Sequence, residues 1–277
     1  AVIIAEHYGD ASPWLQGDEW DTVMNYDAFM EPVSWFLTGM EKHSDQYRSD
    51  LKGNAASFRD AIRYNSSRFY APSLQTAMNE LDNHDHSRFL TRTNGRVGRV
   101  AQLGHRAAEE NINKAVLREA VIMQMTWPGA PTLYYGDEAG VCGFTDPDNR
   151  RTYPWGKEDK NLLNFYKMAI ALHRRYDVLK TGSVKFLLEE YNLIAYGRFS
   201  NDEQMVVVIN NNNENVTVDI PVWETGISRT KDSVMRRVMA TNAIGYTEEE
   251  KEYPIAGGYL TMDLSPLEAI VLCMDKE

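Results

Sequence analysis

The run Val2-Ile3-Ile4-Ala5-Glu6 carries an apolar stretch onto a carboxylate, and Asn79-Glu80-Leu81-Asp82-Asn83-His84-Asp85 closes on another. If both runs are strands of a parallel α/β barrel, their carboxyl ends open on one mouth, where such folds build their active sites. Paired carboxylates suit the cleavage of a glycosidic bond: one protonates the departing oxygen, and another stabilises a positively charged sugar ring. Glu6 comes so early that any barrel strands before it would have to lie upstream of Ala1.

Outward from these runs, strand-like and helix-like segments alternate up to about Tyr176, which favours parallel βα units. Residues 2–5, 20–26, 74–81 and 132–135 read as strands, and residues 31–38, 55–66, 113–126 and 161–176 as helices. Within 55–66, Phe58, Ile62 and Asn65 share a face while Arg59, Asp60 and Arg63 point away. Within 113–126, Val116, Ala120 and Met123 face inward, with Lys114 and Arg118 outside. Pro128-Gly129-Ala130-Pro131 ends that helix, because a proline ring cannot continue the hydrogen-bond ladder. Residues 177–182 read as a linker. Beyond it, short β-rich runs at 183–188, 192–199, 204–209, 216–220, 234–239, 259–264 and 267–274 are parted by turns, as in an antiparallel sandwich. The expected fold class is therefore α/β plus all-β: part of a TIM (β/α)8 barrel in 1–176, then a β-sandwich in 183–277. Four strands cannot close a barrel, so unpaired strand edges and an uncovered apolar layer are expected, and with them a homo-oligomer.

Composition narrows the function classes. The 277 residues are 43% hydrophobic, and 40 acids against 29 bases give a net charge of −11. That balance argues against nucleic acid or an anionic membrane as the main partner, and no apolar run reaches the roughly 18 residues of a membrane helix. Cys142 and Cys273 are too few for a disulfide scaffold and read as buried thiols; their scarcity mildly favours a reducing compartment such as the cytoplasm. His7, His86, His105 and His173 show no metal-ligand spacing. No cofactor is evident, and the sequence offers no support for calcium. Asp137-Glu138 reads as a structural turn and Trp14 as packing.

Five strings in order resemble one family. Glu6-His7-Tyr8-Gly9-Asp10-Ala11-Ser12-Pro13-Trp14-Leu15 resembles the fifth-strand motif of the alpha-amylase family of glycoside hydrolases, closest in wording to its neopullulanase and cyclomaltodextrinase branch. Trp20-Asp21-Thr22-Val23-Met24-Asn25-Tyr26 is similar to the sixth strand, and Leu81-Asp82-Asn83-His84-Asp85-His86-Ser87-Arg88 to the seventh. Pro128 to Glu138 resembles the eighth strand and its exit, and Asp146-Pro147-Asp148-Asn149-Arg150-Arg151 a sugar-binding segment after it. The resemblance implies strands five to eight of the barrel. It also implies roles: Glu6 as general acid/base, Asp85 as transition-state-stabilising aspartate, His84 as donor to sugar hydroxyls, and Asp146 with Arg150 holding a glucose on the non-reducing side. Tyr8 and His7 stand where many relatives in that branch carry a tryptophan and an aliphatic residue, beside the site for water or an acceptor sugar. A general acid must keep its proton near neutral pH, so Glu6 is expected in a water-poor cleft, within about 5–8 Å of Asp85.

Two motifs of the family do not occur in these 277 residues: the fourth-strand Gly-x-Arg-x-Asp with its nucleophile, and an Asn-His motif after the third strand. The resemblance thus implies a parent that is a retaining hydrolase of α-glucosidic bonds in starch, maltooligosaccharides, pullulan or cyclodextrins, with an N-terminal half-barrel as partner. On this reading the chain alone is inactive, since no covalent intermediate can form without the nucleophile. The alternatives are a transglycosylase or isomerase of the same family, and a non-catalytic carbohydrate-binding or assembly piece.

Overall fold

A computed structural model of the chain describes residues 1–231 and 233–274. Four two-residue strands begin the architecture: β1 (Ile4–Ala5), β2 (Thr22–Val23), β3 (Met78–Asn79) and β4 (Ala130–Pro131). β1 pairs parallel with β2 and β3 with β4, and a parallel bridge between Met24 and Met78 joins the pairs. All four carboxyl ends therefore face one way.

Helices α1 (Glu31–Thr38), α2 (Ala55–Ser66), α3 (Ala71–Thr76), α4 (Phe89–Arg92), α5 (Val100–Leu103), α6 (Lys114–Thr126) and α7 (Lys160–Arg175) come between and after these strands along the chain. The caps follow from residue chemistry. The Asn54 side chain accepts from Ser57 N, Asn113 from Ala115 N and Val116 N, and Asp159 from Asn161 N and Leu162 N, each satisfying amides that a helix start leaves free. Phe58 and Ile62 are buried as their spacing predicts.

Three local expectations are corrected. Residues 74–76 belong to α3, whose Pro72 is pre-set for a first helical turn, so the strand expected over 74–81 shrinks to β3. The strand expected at 132–135 lies at Ala130–Pro131 instead; its proline is tolerated because, among the described residues, β4 is an edge. Arg118 is buried and not outward, because the sheet that follows covers that side of α6 and Asn242 O accepts from Arg118 Nη2 at 2.9 Å.

Residues read as a linker form α8 (Asp177–Thr181). The β-rich tail is β5 (Ser183–Glu190), β6 (Leu193–Phe199), β7 (Gln204–Asn210), β8 (Val216–Ile220), β9 (Ser233–Thr241), β10 (Tyr246–Thr247), β11 (Glu252–Ala256), β12 (Tyr259–Leu264) and β13 (Glu268–Met274). Where a sandwich would have two separate ladders, one antiparallel ladder runs β5-β6-β7-β13-β9-β11-β12-β8, with β10 beside β9. It curls so that Thr225, after β8, reaches Gly197 of β6, where a Cβ would lie 2.3 Å from the threonine methyl. Side-chain alternation sorts the two faces. Met205, Val207 and Ile209 of β7 join the core beneath the helices, whereas Val206 and Val208 join a second core inside the curl. Both faces being buried, β6, β7 and β13 carry mostly apolar residues at successive positions, with Arg198 the charged exception in β6. In β8 and β12 one face is wet, and Thr217–Asp263 and Thr261–Asp219 hydrogen-bond across it.

Arg198 of β6 fastens the sheet to the helices. It is buried, and all five of its guanidinium donors find backbone carbonyls: Nε that of Ser183, Nη1 those of Thr126 and Leu179, Nη2 those of Val178 and Gly182. Burial without a carboxylate partner pulls its pKa down to about 10.

Candidate active site

The site is assembled by the segments that leave the four strands. Asn25 after β2 donates to Asn79 Oδ1 at 2.8 Å, and Asn79 donates to Pro128 O at 3.0 Å. Gln124 Nε2 donates to both Asn79 O and Thr132 O. The close approach requires Gly129, whose φ is +137° and where a Cβ would lie 2.4 Å from the Asn79 amide. This network fixes the strand ends, so the residues that follow start from set positions.

Glu6 after β1 and His84 with Asp85 after β3 converge. His84 Nε2 lies 3.6 Å from Glu6 Oε1 and 3.4 Å from Asp85 Oδ1. The His84 nitrogen and one carboxylate oxygen each of Glu6 and Asp85 lie within 4.8 Å of one another, tighter than the separation expected from sequence. Arg150 closes the group: Nε donates to His84 O at 2.8 Å, and Nη2 lies 3.4 Å from Asp85 Oδ1 and 3.7 Å from Asp146 Oδ2. Glu6, His84, Asp85, Asp146 and Arg150 thus form one cluster.

The water-poor surroundings expected for Glu6 are absent: its side chain is 45% exposed. The physical reason is the open flank of β1, where Val2, Ile3 and Ile4 are themselves exposed.

Tyr8 stacks on Tyr26 with ring centroids 4.7 Å apart, and its hydroxyl lies 3.4 Å from His86 Nε2. Lys42 Nζ sits 5.4 Å from the Tyr8 ring centre and pairs with Glu31 at 2.8 Å. Burial, with help from Asp85, pushes the Tyr8 phenol up. Burial and the nearby cations, Arg92 first, pull His86 down to about 2, so it faces Tyr8 as a neutral ring. Tyr26 opens a five-residue π-helix, Tyr26–Met30, a wide turn that recurs at functional sites. Trp14 stacks on Trp20 and meets His7 edge-on, away from the cluster.

A buried layer that the sequence reading did not single out supports the cluster. Glu80, pushed up to about 8 mainly by burial, accepts from Asn83 Nδ2, which also donates to Tyr26 OH. Asn83 Oδ1 accepts from Asp85 N, and Asn149 donates to Asn83 O and His86 O. Arg88 pairs with Asp137 and donates to Asn149 O. Asp137 is raised by burial and then by neighbouring Asp82, while Arg88 stays charged between the two acids. Asp137 is thus structural, as expected. The one available signal was polar residues inside apolar runs, which does not distinguish buried supports from exposed turns.

Comparisons with known proteins agree with the motif reading. The family model described as alpha amylase, catalytic domain, matches residues 1–259. The chain is 37% identical over 230 residues to neopullulanase 2 of Thermoactinomyces vulgaris, covering 82% of this chain and 34% of that protein. It is 31% identical to an amylopullulanase of Thermoanaerobacterium saccharolyticum, covering 99% and 21% respectively. Among solved structures, a cyclomaltodextrinase superposes with a TM-score of 0.73 at 25% identity, covering 99% of this chain and 40% of that one. The native debranching enzyme of Nostoc punctiforme gives 0.75 at 25% identity, covering 98% and 51%. The chain spans between about a fifth and a third of these two curated relatives.

Proposed function

This chain belongs to the alpha-amylase family, and we propose that it supplies the acid/base and stabilising side of a retaining active site for α-glucosidic bonds. The observation that carries the reading is the convergence of Glu6, His84 and Asp85 beyond parallel strands, with Arg150 bridging Asp85 to Asp146. On this reading residues 1–176 are strands five to eight of a (β/α)8 barrel, 177–182 joins the units, and 183–277 is the C-terminal all-β unit. The substrate is an α-glucan such as a maltooligosaccharide, starch, pullulan or a cyclodextrin.

In the reaction, Glu6 gives its proton to the glycosidic oxygen as the C1–O bond breaks, and a carboxylate nucleophile from the partner half-barrel bonds to C1. Asp85 faces the positive charge that spreads over the ring, and His84 binds hydroxyls of the same sugar more tightly as the ring flattens. Water then attacks C1, the bond from C1 to the nucleophile breaks and frees its carboxylate, and Glu6 takes a proton from that water. The nucleophile motif does not occur in these residues, so they alone bind glucan without turning it over. The exposed flank of Glu6 is where the N-terminal half-barrel seats, drying the acid.

The test is maltotriose hydrolysis by the chain alone and after addition of the N-terminal half-barrel of a relative. Turnover only in the mixture, lost in Glu6→Gln, is expected. Turnover by the chain alone, abolished by Glu6→Gln, would overturn the account. A second reading, transfer to an acceptor sugar, is favoured by Tyr8, two residues from Glu6 and half exposed, an aromatic against whose edge an acceptor sugar can pack. Appearance of oligosaccharides longer than maltotriose at high maltose would select it.

A further inference from the structure

Glu6, His84 and Asp85 bring together three atoms that can bind a metal ion as well as a proton. His84 Nε2 lies 3.6 Å from Glu6 Oε1 and 3.4 Å from Asp85 Oδ1, and one ligand atom from each of the three residues lies within 4.8 Å of the others. A tetrahedral zinc ion with bonds of about 2.0–2.2 Å holds its ligand atoms roughly 3.3–3.6 Å apart. Two of the three spacings already meet that value. The third closes by rotation of the Glu6 side chain, which is 45% exposed. The donor set also selects the ion. One imidazole nitrogen with two carboxylate oxygens suits Zn2+ and falls well short of the oxygen shell that Ca2+ takes. A net charge of −11 draws cations to the chain. Arg150 opposes them locally, since its Nη2 lies 3.4 Å from Asp85 Oδ1. A fixed positive charge that close makes the binding reversible, and three protein ligands leave a fourth position open for water.

We infer that Glu6, His84 and Asp85 form a reversible zinc site, and that zinc held there competes with glucan for the same side chains. Zinc on the Glu6 carboxylate holds the group that must carry the proton, so a loaded site cannot protonate a glycosidic oxygen. This regulatory consequence rests on the proposed function, whereas the metal site rests on the three side chains alone.

The experiment is imidazole NMR of the whole chain, titrated separately with Zn2+ and with maltotriose. Zinc should move the His84 ring and saturate at one ion per chain, Ca2+ should leave it in place, and maltotriose should weaken the zinc response. Calorimetry should show zinc binding weakened by roughly tenfold or more in His84→Ala, since losing even a supporting partner of a ligand costs that much. Glu6→Gln should weaken it as well, with His105 and His173 keeping their resonance positions as the check on folding. Zinc moving another ring while His84 stays, His105 beside Asp148 being the nearest rival, would overturn the site. So would equally tight binding by His84→Ala. If maltotriose moves His84 and zinc does not, the metal site falls and the proposed function stands. If zinc moves His84 while maltotriose neither moves it nor weakens zinc, the metal site stands and the proposed function falls.

Discussion

Arg88 Nη1 lies 2.7 Å from Asp137 Oδ1, both residues buried, one following β3 and the other following β4. Arg88 also lies over the Tyr134 ring, 3.9 Å from its centre. This contact ties the segment carrying His84 and Asp85 to the exit of the neighbouring strand, and so sets the mutual position of the two halves of the cluster.

Removing one side of that pair should cost far more than removing both. Asp137→Ala leaves a buried guanidinium short of its acceptor and is expected to destabilise the chain by about 3–5 kcal/mol. Arg88→Met with Asp137→Leu should cost less than Asp137→Ala alone. Urea unfolding of the three proteins checks the order; equal losses would mean that the charge pair does not determine the local structure.

Glu80 predicts a pH dependence. Its folded pKa of about 8 stands above the ordinary 4.5, so between those values the folded state holds a proton that the unfolded chain releases. Stability from this residue is then full below about pH 4.5 and falls as pH rises to about 8, by up to a few kcal/mol. Glu80→Gln keeps an acceptor for Asn83 and should flatten this fall. Thermal melts of both proteins at pH 5 and pH 8 decide it, and parallel pH profiles would refute it.

The first strand should drive association. Val2 is 70%, Ile3 51% and Ile4 46% exposed, next to a β1 edge with no partner among the described residues. Apolar surface and unpaired backbone both seek cover in water, and a two-fold pair would cover both patches at once. Sedimentation over a dilution series should show a dimer or larger species that dissociates on dilution, with Ile3→Lys shifting it towards monomer. A monomer throughout, with β1 amides protected from exchange, would contradict this.

Arg198 should tolerate neither a neutral nor a lysine replacement. Arg198→Met strands five carbonyls, for an expected loss on the order of 3 kcal/mol or more. Arg198→Lys, with three donors on one nitrogen, cannot span carbonyls from 126 to 183 and should recover little. Calorimetry of both variants provides the comparison.

Much of this was legible in the sequence. Helix α2 carries its apolar spacing openly, and Glu6 stands directly after an apolar run, while His84 and Asp85 were found through the resemblance of their segment to a family motif. Asp146 and Arg150 were readable as a pair only through the resemblance of residues 146–151 to a sugar-binding segment of the family. Other features depend on what comes to lie on top of them. Arg118 has the charge of a surface residue, and only the folded sheet over α6 buries it. Residues 74–76 carry a single leucine shortly after Pro72, and 130–135 a short apolar run around Pro131, so local sequence leaves strand, helix and turn close in preference and pairing partners decide. Glu80 and Asp82 look like neighbours on a solvated loop, yet Asn83, Arg88 and Phe89 N draw both inward.

The carbonyls around Arg198 come from α6, from α8, from Gly182 just after it and from the first residue of β5, so no cut between the helices and the sheet leaves that cradle whole. Replacing the sheet while keeping the helices would leave carbonyls of Thr126, Val178 and Leu179 without this arginine's donors. The all-β unit is thus not an interchangeable module: chimeras joined at residues 177–182 are expected to fail unless the segment from Thr126 onward travels with it. Unfolding should run as a single cooperative event across what looks, along the chain, like two territories.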